Sequence, residues 1–82
     1  MTKKELIFGV MKKHPCVSGA QIHNYALQMF NEDITPQSAS SIMRSFVNLG
    51  LAAQSPHPMT GRMVYWFTDH GKETFKDELK EV

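Results

Sequence analysis

A single cysteine, Cys16, stands among the 82 residues, so no intramolecular disulfide can brace the chain. A free thiol beside Pro15 suits the cytosol better than an oxidising compartment. No apolar run approaches the roughly 20 residues of a membrane span. The longest early one, residues 6–11, lies between Lys4 and Lys12 and is too short for a signal core, so no membrane partner is expected. Net charge is almost absent too: a formal +1 counts against a uniformly basic nucleic-acid binder. The four histidines, His14, His23, His57 and His70, form no i,i+4 pair and join no second cysteine. Neither a metal site nor a cofactor is therefore expected. Cys16 has no sequence-local base, no glycine-rich phosphate loop is present, and Asp77-Glu78 reads as solvated charge, so no enzyme is expected either. A separate core below roughly 40 residues usually needs a metal or disulfides, so residues 1–82 read as one domain.

The charge that is present is unevenly spread. Lys3, Lys4, Lys12 and Lys13 face one carboxylate, Glu5, near the start, whereas the stretch from Asp69 onward holds five carboxylates against three lysines. Arg44 and Arg62 offset Glu32 and Asp33 in between. The first helix, Arg44 and Arg62 could together build one modest positive face.

Apolar residues make up 41% of the chain, enough for a single modest core, and their spacing marks the elements. Thr2 and Glu5 form a T-x-x-E capping box that opens a helix carrying Leu6, Ile7, Val10 and Met11. His14 and Pro15 end it. Ser18 and Gln21 form a second box, opening a helix with Ile22, Tyr25, Ala26, Met29 and Phe30 at i, i+3, i+4, i+7 and i+8. After the polar run Asn31, Glu32, Asp33, the pair Thr35-Pro36 supplies an N-cap and a first-turn proline. A third helix over residues 36–49 presents Ala39, Ile42, Met43, Phe46 and Leu49 on one side, with Gly50 as its left-handed cap. Residues 51–55 and 63–67 read as two strands of a hairpin, the second rich in aromatic and β-branched side chains. Thr68 or Asp69 caps a last helix anchored by Phe75 and Leu79. The expected class is mainly α with a small β-hairpin (α+β): three helices, a two-stranded hairpin and a C-terminal helix.

Projected at 100° per residue, the third helix carries Gln37, Ser41, Arg44 and Asn48 opposite its apolar side, with Ser38, Ser40 and Ser45 on the flanks. None of these is acidic. Gln and Asn can bond bidentately to adenine and Arg to guanine, and serines can bond phosphates or bases, so this face has the chemistry to read a major groove. An ordinary solvated helix face more often mixes Glu with Lys at i,i+4. Thr35 stands at the helix start beside this stripe. The hairpin tip, residues 55–62, offers His57, Thr60, Gly61 and Arg62. There Arg62 either reaches a phosphate or minor groove or is a plain solvated charge.

The order of elements, together with Tyr65-Trp66-Phe67-Thr68-Asp69-His70-Gly71-Lys72, resembles the wing strand and following helix of winged helix-turn-helix regulators of the MarR and PadR types. Their recurrent pattern is an aromatic, any residue, a large apolar residue, Thr, two variable residues and Gly. Tyr65, Phe67, Thr68 and Gly71 stand at those places, with Phe67 where leucine is usual. The resemblance covers residues 2–80 as a layout. It implies a helix at 36–49 that enters the DNA major groove and a wing tip at 57–62 that touches the backbone or minor groove. Residues 31–34 make a slightly long turn between the two helices of the motif.

These readings converge on a cytoplasmic, sequence-specific transcriptional regulator that binds double-stranded DNA through Thr35, Gln37, Ser38, Ser40, Ser41, Arg44, Ser45, Asn48, His57, Thr60, Gly61 and Arg62. No ligand domain is expected beside the winged helix within these 82 residues. A domain of this size covers one half-site, which makes a homodimer the natural route to a longer operator. Two alternatives remain open: a winged-helix protein-interaction module docking a partner through Trp66, which alternates with Tyr65 and Phe67, and a replication or recombination accessory factor.

Overall fold

The computed structural model describes residues 1–80. Its elements are α1 (Lys3–Lys13), β1 (Val17–Ser18), α2 (Gly19–Phe30), α3 (Pro36–Asn48), β2 (Ala52–Pro56), β3 (Met63–Phe67), α4 (Asp69–Thr74) and α5 (Lys76–Leu79). The architecture is α+β, with helices packed on a small antiparallel sheet of strand order β1-β3-β2.

Each long helix starts where a side chain can take up free amides. The Glu5 amide donates to Thr2 Oγ1 (3.1 Å) and the Thr2 amide to Glu5 Oε1 (3.0 Å). Ser18 and Gln21 repeat the exchange at 3.2 and 2.8 Å. Glu5 titrates below the usual glutamate value because its carboxylate accepts the Thr2 backbone amide and, next, pairs with the Thr2 hydroxyl. Thr35 caps α3 by accepting the Ser38 amide at 3.1 Å, and Pro36 opens the first turn. α2 stops at Asn31, which adopts φ 53°, a left-handed conformation that asparagine tolerates better than most residues. Gly50, at φ 76°, ends α3 as the sequence implies.

Four phenylalanines tie these elements together. Phe8 of α1, Phe46 of α3, Phe67 of β3 and Phe75 pack with ring centroids 4.9–6.2 Å apart. Such pairs contribute about 0.5–1.5 kcal/mol each beyond area burial. The cluster accounts for Phe67 at the leucine place, since a flat ring there reaches three others. Around it lie Ile7, Val10, Ile22, Ile34 and Met43, all fully buried.

Two details correct the sequence reading. The sheet has a third strand, β1, whose Val17 and Ser18 pair with Tyr65 and Val64. Two residues are too short to show a period of two, and only the edge of β3 makes them a strand. The C-terminal helix is not continuous: Phe75 leaves helical geometry (φ −104°, ψ 23°) between α4 and α5. Its ring sits in the aromatic cluster with Phe8, Phe46 and Phe67, while its amide and carbonyl keep bonds to Gly71 and Leu79 (both 2.9 Å).

Candidate nucleic-acid interface

α3 is clamped along one side and bare along the other. Ala39, Met43 and Phe46 are buried, while Gln37, Ser41, Arg44, Ser45 and Asn48 are exposed, as is the cap Thr35. The amphipathic spacing forces this split, because residues three and four apart share a face. Among the described residues the stripe is thus a free surface, and none of its members is a carboxylate.

The flanking serines differ from one another. Ser38 is half-buried, and Lys3 Nζ donates to its Oγ at 3.4 Å. Ser45 donates its hydroxyl to the Ile42 carbonyl at 2.6 Å, which commits its proton to the helix while leaving lone pairs free. Ser40 turns toward α2. A methyl added at Gly19 would collide with Ser40 Oγ and with the Pro36 carbonyl, so the absence of a side chain at Gly19 lets α2 seat directly on the first turns of α3.

The wing tip is exposed throughout residues 57–62 and is organised by its own hydrogen bonds. The His57 amide donates to the Arg62 carbonyl and the Gly61 amide to the His57 carbonyl, both at 2.8 Å. Gly61, at φ 71°, supplies the left-handed residue the loop requires. The Met59 amide donates to His57 Nδ1 (3.1 Å) and the Arg62 amide to Thr60 Oγ1 (3.2 Å). Accepting that amide leaves Nδ1 without a proton, so the neutral imidazole carries its proton on Nε2. His57, Thr60 and Arg62 also share a cleft of about 140 Å³ with Ser18 and Gln21 at the start of α2.

The lysines do not form the single positive face that their sequence positions suggested. Lys3 reaches the start of α3, a neighbour of the stripe that spacing along the chain could not reveal because the contact spans 35 residues. Lys12 and Lys13 instead line a separate cleft of about 560 Å³ with Phe30, Asp77 and Glu78. The acidic end of the described chain therefore borders that cleft. Among the described residues, no group of three or more His, Cys, Asp or Glu side chains converges in a metal-binding arrangement, and no helix is long and apolar enough to cross a membrane.

Trp66 is half-buried, between the buried Tyr65 and Phe67, and pairs across the sheet with Ala53. Behind the wing, Thr68 closes the base of the hairpin: its hydroxyl donates to the Gly50 carbonyl (2.8 Å) and its amide to the Leu51 carbonyl (3.1 Å). Gly71 packs so closely on the Leu51 carbonyl that no side chain fits there. The Thr and Gly of the wing pattern are thus joints between the end of α3 and the start of α4.

No protein-family model matches the chain, and no curated protein matches it. Solved structures do. F93 from STIV, a winged-helix DNA-binding protein, superposes with a TM-score of 0.74 at 16% identity, over 90% of this chain and 79% of that one. The fold is a winged helix-turn-helix. Bacillus subtilis PadR, in a complex with operator DNA, matches with a TM-score of 0.66 at 20% identity over 96% of this chain. This winged helix spans 46% of the PadR chain, somewhat under half its length. In the naming of that fold, α2 and α3 are the helix-turn-helix and β2 and β3 the wing.

Proposed function

We propose that this winged helix binds double-stranded DNA as a sequence-specific transcriptional regulator, with α3 in the major groove and the wing tip on the backbone or minor groove. The observation that carries the reading is the exposed, carboxylate-free stripe of Gln37, Ser41, Arg44 and Asn48 on a helix whose other side is locked into the core. A rigid helix can hold bidentate donors in register with base edges, which loose side chains on a loop cannot do. Thr35, Ser38, Ser41 and Ser45 supply hydroxyls for phosphates near the stripe, and Lys3 adds a charge beside Ser38. Ser40 acts from behind by packing on α2. His57, Thr60, Gly61 and Arg62 make the wing contact, with Arg62 neutralising a phosphate. The setting is cytoplasmic, consistent with an exposed free thiol at Cys16. Two copies acting as a homodimer would span two half-sites. Trp66 is half-buried, so protein docking through that ring has less support than recognition through α3.

Fluorescence anisotropy with a random duplex at low salt, followed by selection of a preferred site, tests the proposal. The random duplex should bind at or below tens of micromolar protein, with affinity falling steeply as salt rises. The selected site should bind on the order of a thousandfold tighter than the random duplex. Absence of any binding at low salt would overturn the reading.

A further inference from the structure

We infer that His23, in the middle of α2, is a positioning residue that latches the turn of the helix-turn-helix and thereby sets the direction in which α3 leaves it. His23 Nδ1 lies 2.9 Å from the Ile34 carbonyl oxygen and 3.6 Å from Asp33 Oδ1. A carbonyl oxygen only accepts, so the ring proton sits on Nδ1 and Nε2 is bare in the neutral imidazole. Ile34 immediately precedes Thr35, the cap of α3. Its side chain is buried in the core, so the latch holds the other half of the same residue. With both side chain and carbonyl fixed, the peptide plane leading into Thr35 has little freedom to rotate.

Among the described residues, the backbone amides at the start of the turn bond back to the end of α2. The Asn31 amide donates to the Leu27 carbonyl (3.1 Å) and the Glu32 amide to the Ala26 carbonyl (3.3 Å). Among the described residues, the His23 bond is the one side-chain hydrogen bond from α2 to the α3 end of the turn. Direction matters here because α3 is a long lever. At 1.5 Å per residue, a tilt of about 10° at Pro36 moves Asn48 by roughly 3 Å, a whole hydrogen-bond length. The latch itself is a statement about the free protein. Its consequence for base reading rests on the DNA function proposed above.

The test begins with the unmodified protein. A long-range nitrogen–proton correlation spectrum of neutral His23 should show the proton on Nδ1, and a proton on Nε2 overturns the latch. Amide exchange then compares two equivalent first-turn positions, Ala39, whose amide donates to the Thr35 carbonyl, and Leu6, whose amide donates to the Thr2 carbonyl. His23→Ala should speed exchange at Ala39 about fivefold with Leu6 unchanged, the size expected for one hydrogen bond of ordinary net strength. His23→Asn, which offers an amide donor near the Nδ1 place, should restore most of the protection. Unchanged Ala39 exchange in His23→Ala, or failure of asparagine to restore it, overturns the proposal. With duplexes, His23→Ala should weaken a selected site about fivefold and a random one less than twofold, at an unchanged salt slope. Equal loss on both overturns the positioning role. Failure of the unmodified protein to bind any duplex defeats the DNA reading alone, while the spectrum and the exchange rates still decide the latch.

Discussion

α3 and the wing tip are held in opposite ways. α3 is fixed from outside: three of its side chains enter the core, its start is capped by Thr35 and seated on Gly19, and its end is tied through Gly50 to Thr68. The wing tip is fixed from inside, by four hydrogen bonds among its own residues, and every residue from 57 to 62 is exposed. An element held by tertiary packing keeps its direction as long as the domain stays folded. An element held by its own turn can yield without cost to the core. The first suits contacts that must be in register with base edges, and the second suits a charge that needs only to find a phosphate.

The largest expected effect breaks the comparison at its strong side. Phe46→Ala removes a ring from the aromatic cluster and should cost about 3–5 kcal/mol of stability. Met59→Ala at the wing tip, where the side chain is 87% exposed, should change stability by less than about 0.5 kcal/mol. Urea unfolding of both variants measures the contrast, and similar losses would deny it.

Next in size is the seat between the two helices. Gly19→Ala should cost about 1–3 kcal/mol by overpacking against Ser40 and Pro36. The cost should shrink but not vanish in a Ser40→Gly background, because the Pro36 carbonyl remains. A double-mutant cycle reads that coupling.

Function sharpens the same contrast. Arg44→Ala should cost about 1–3 kcal/mol on a selected site if the guanidinium reads a guanine, with little change on random duplex. Arg62→Ala should weaken all duplexes alike and lower the salt slope by about one unit. Equal loss on specific and random duplexes for Arg44→Ala would remove its base-reading role.

The smallest effect lies at the start of α1, where Lys3 approaches α3. Because the folded-state titration of Glu5 is depressed, its capping contribution is present above the usual glutamate pKa and is lost as the pH falls through the lowered one. Melting temperatures of Glu5→Gln and the unmodified protein should therefore differ at neutral pH and converge in acid. A gap that persists at low pH would contradict this sign.

Most of this architecture is legible in the sequence, because its signals are local. Thr2, Ser18 and Thr35 cap the helices that their spacing announces, and Gly50 closes α3. Three features are not legible, each for the same reason. β1 exists only because β3 offers it an edge, the break at Phe75 falls where its ring meets three others, and Lys3 approaches Ser38 only because two helix starts converge. The basic face read from the lysines divided for the same cause, since charge counted along a chain carries no information on which side of a helix bundle it will lie.

Sequence by itself thus determined which segments are helix and strand, where they begin, and which side of α3 is apolar, since hydrophobic period and capping chemistry act over a few residues. Tertiary structure alone decided the direction of α3, the neighbours of its stripe and the closure of the wing. Those depend on contacts such as His23 with Ile34, Gly19 with Ser40 and Thr68 with Gly50, between residues too far apart in the chain for any local pattern to pair them.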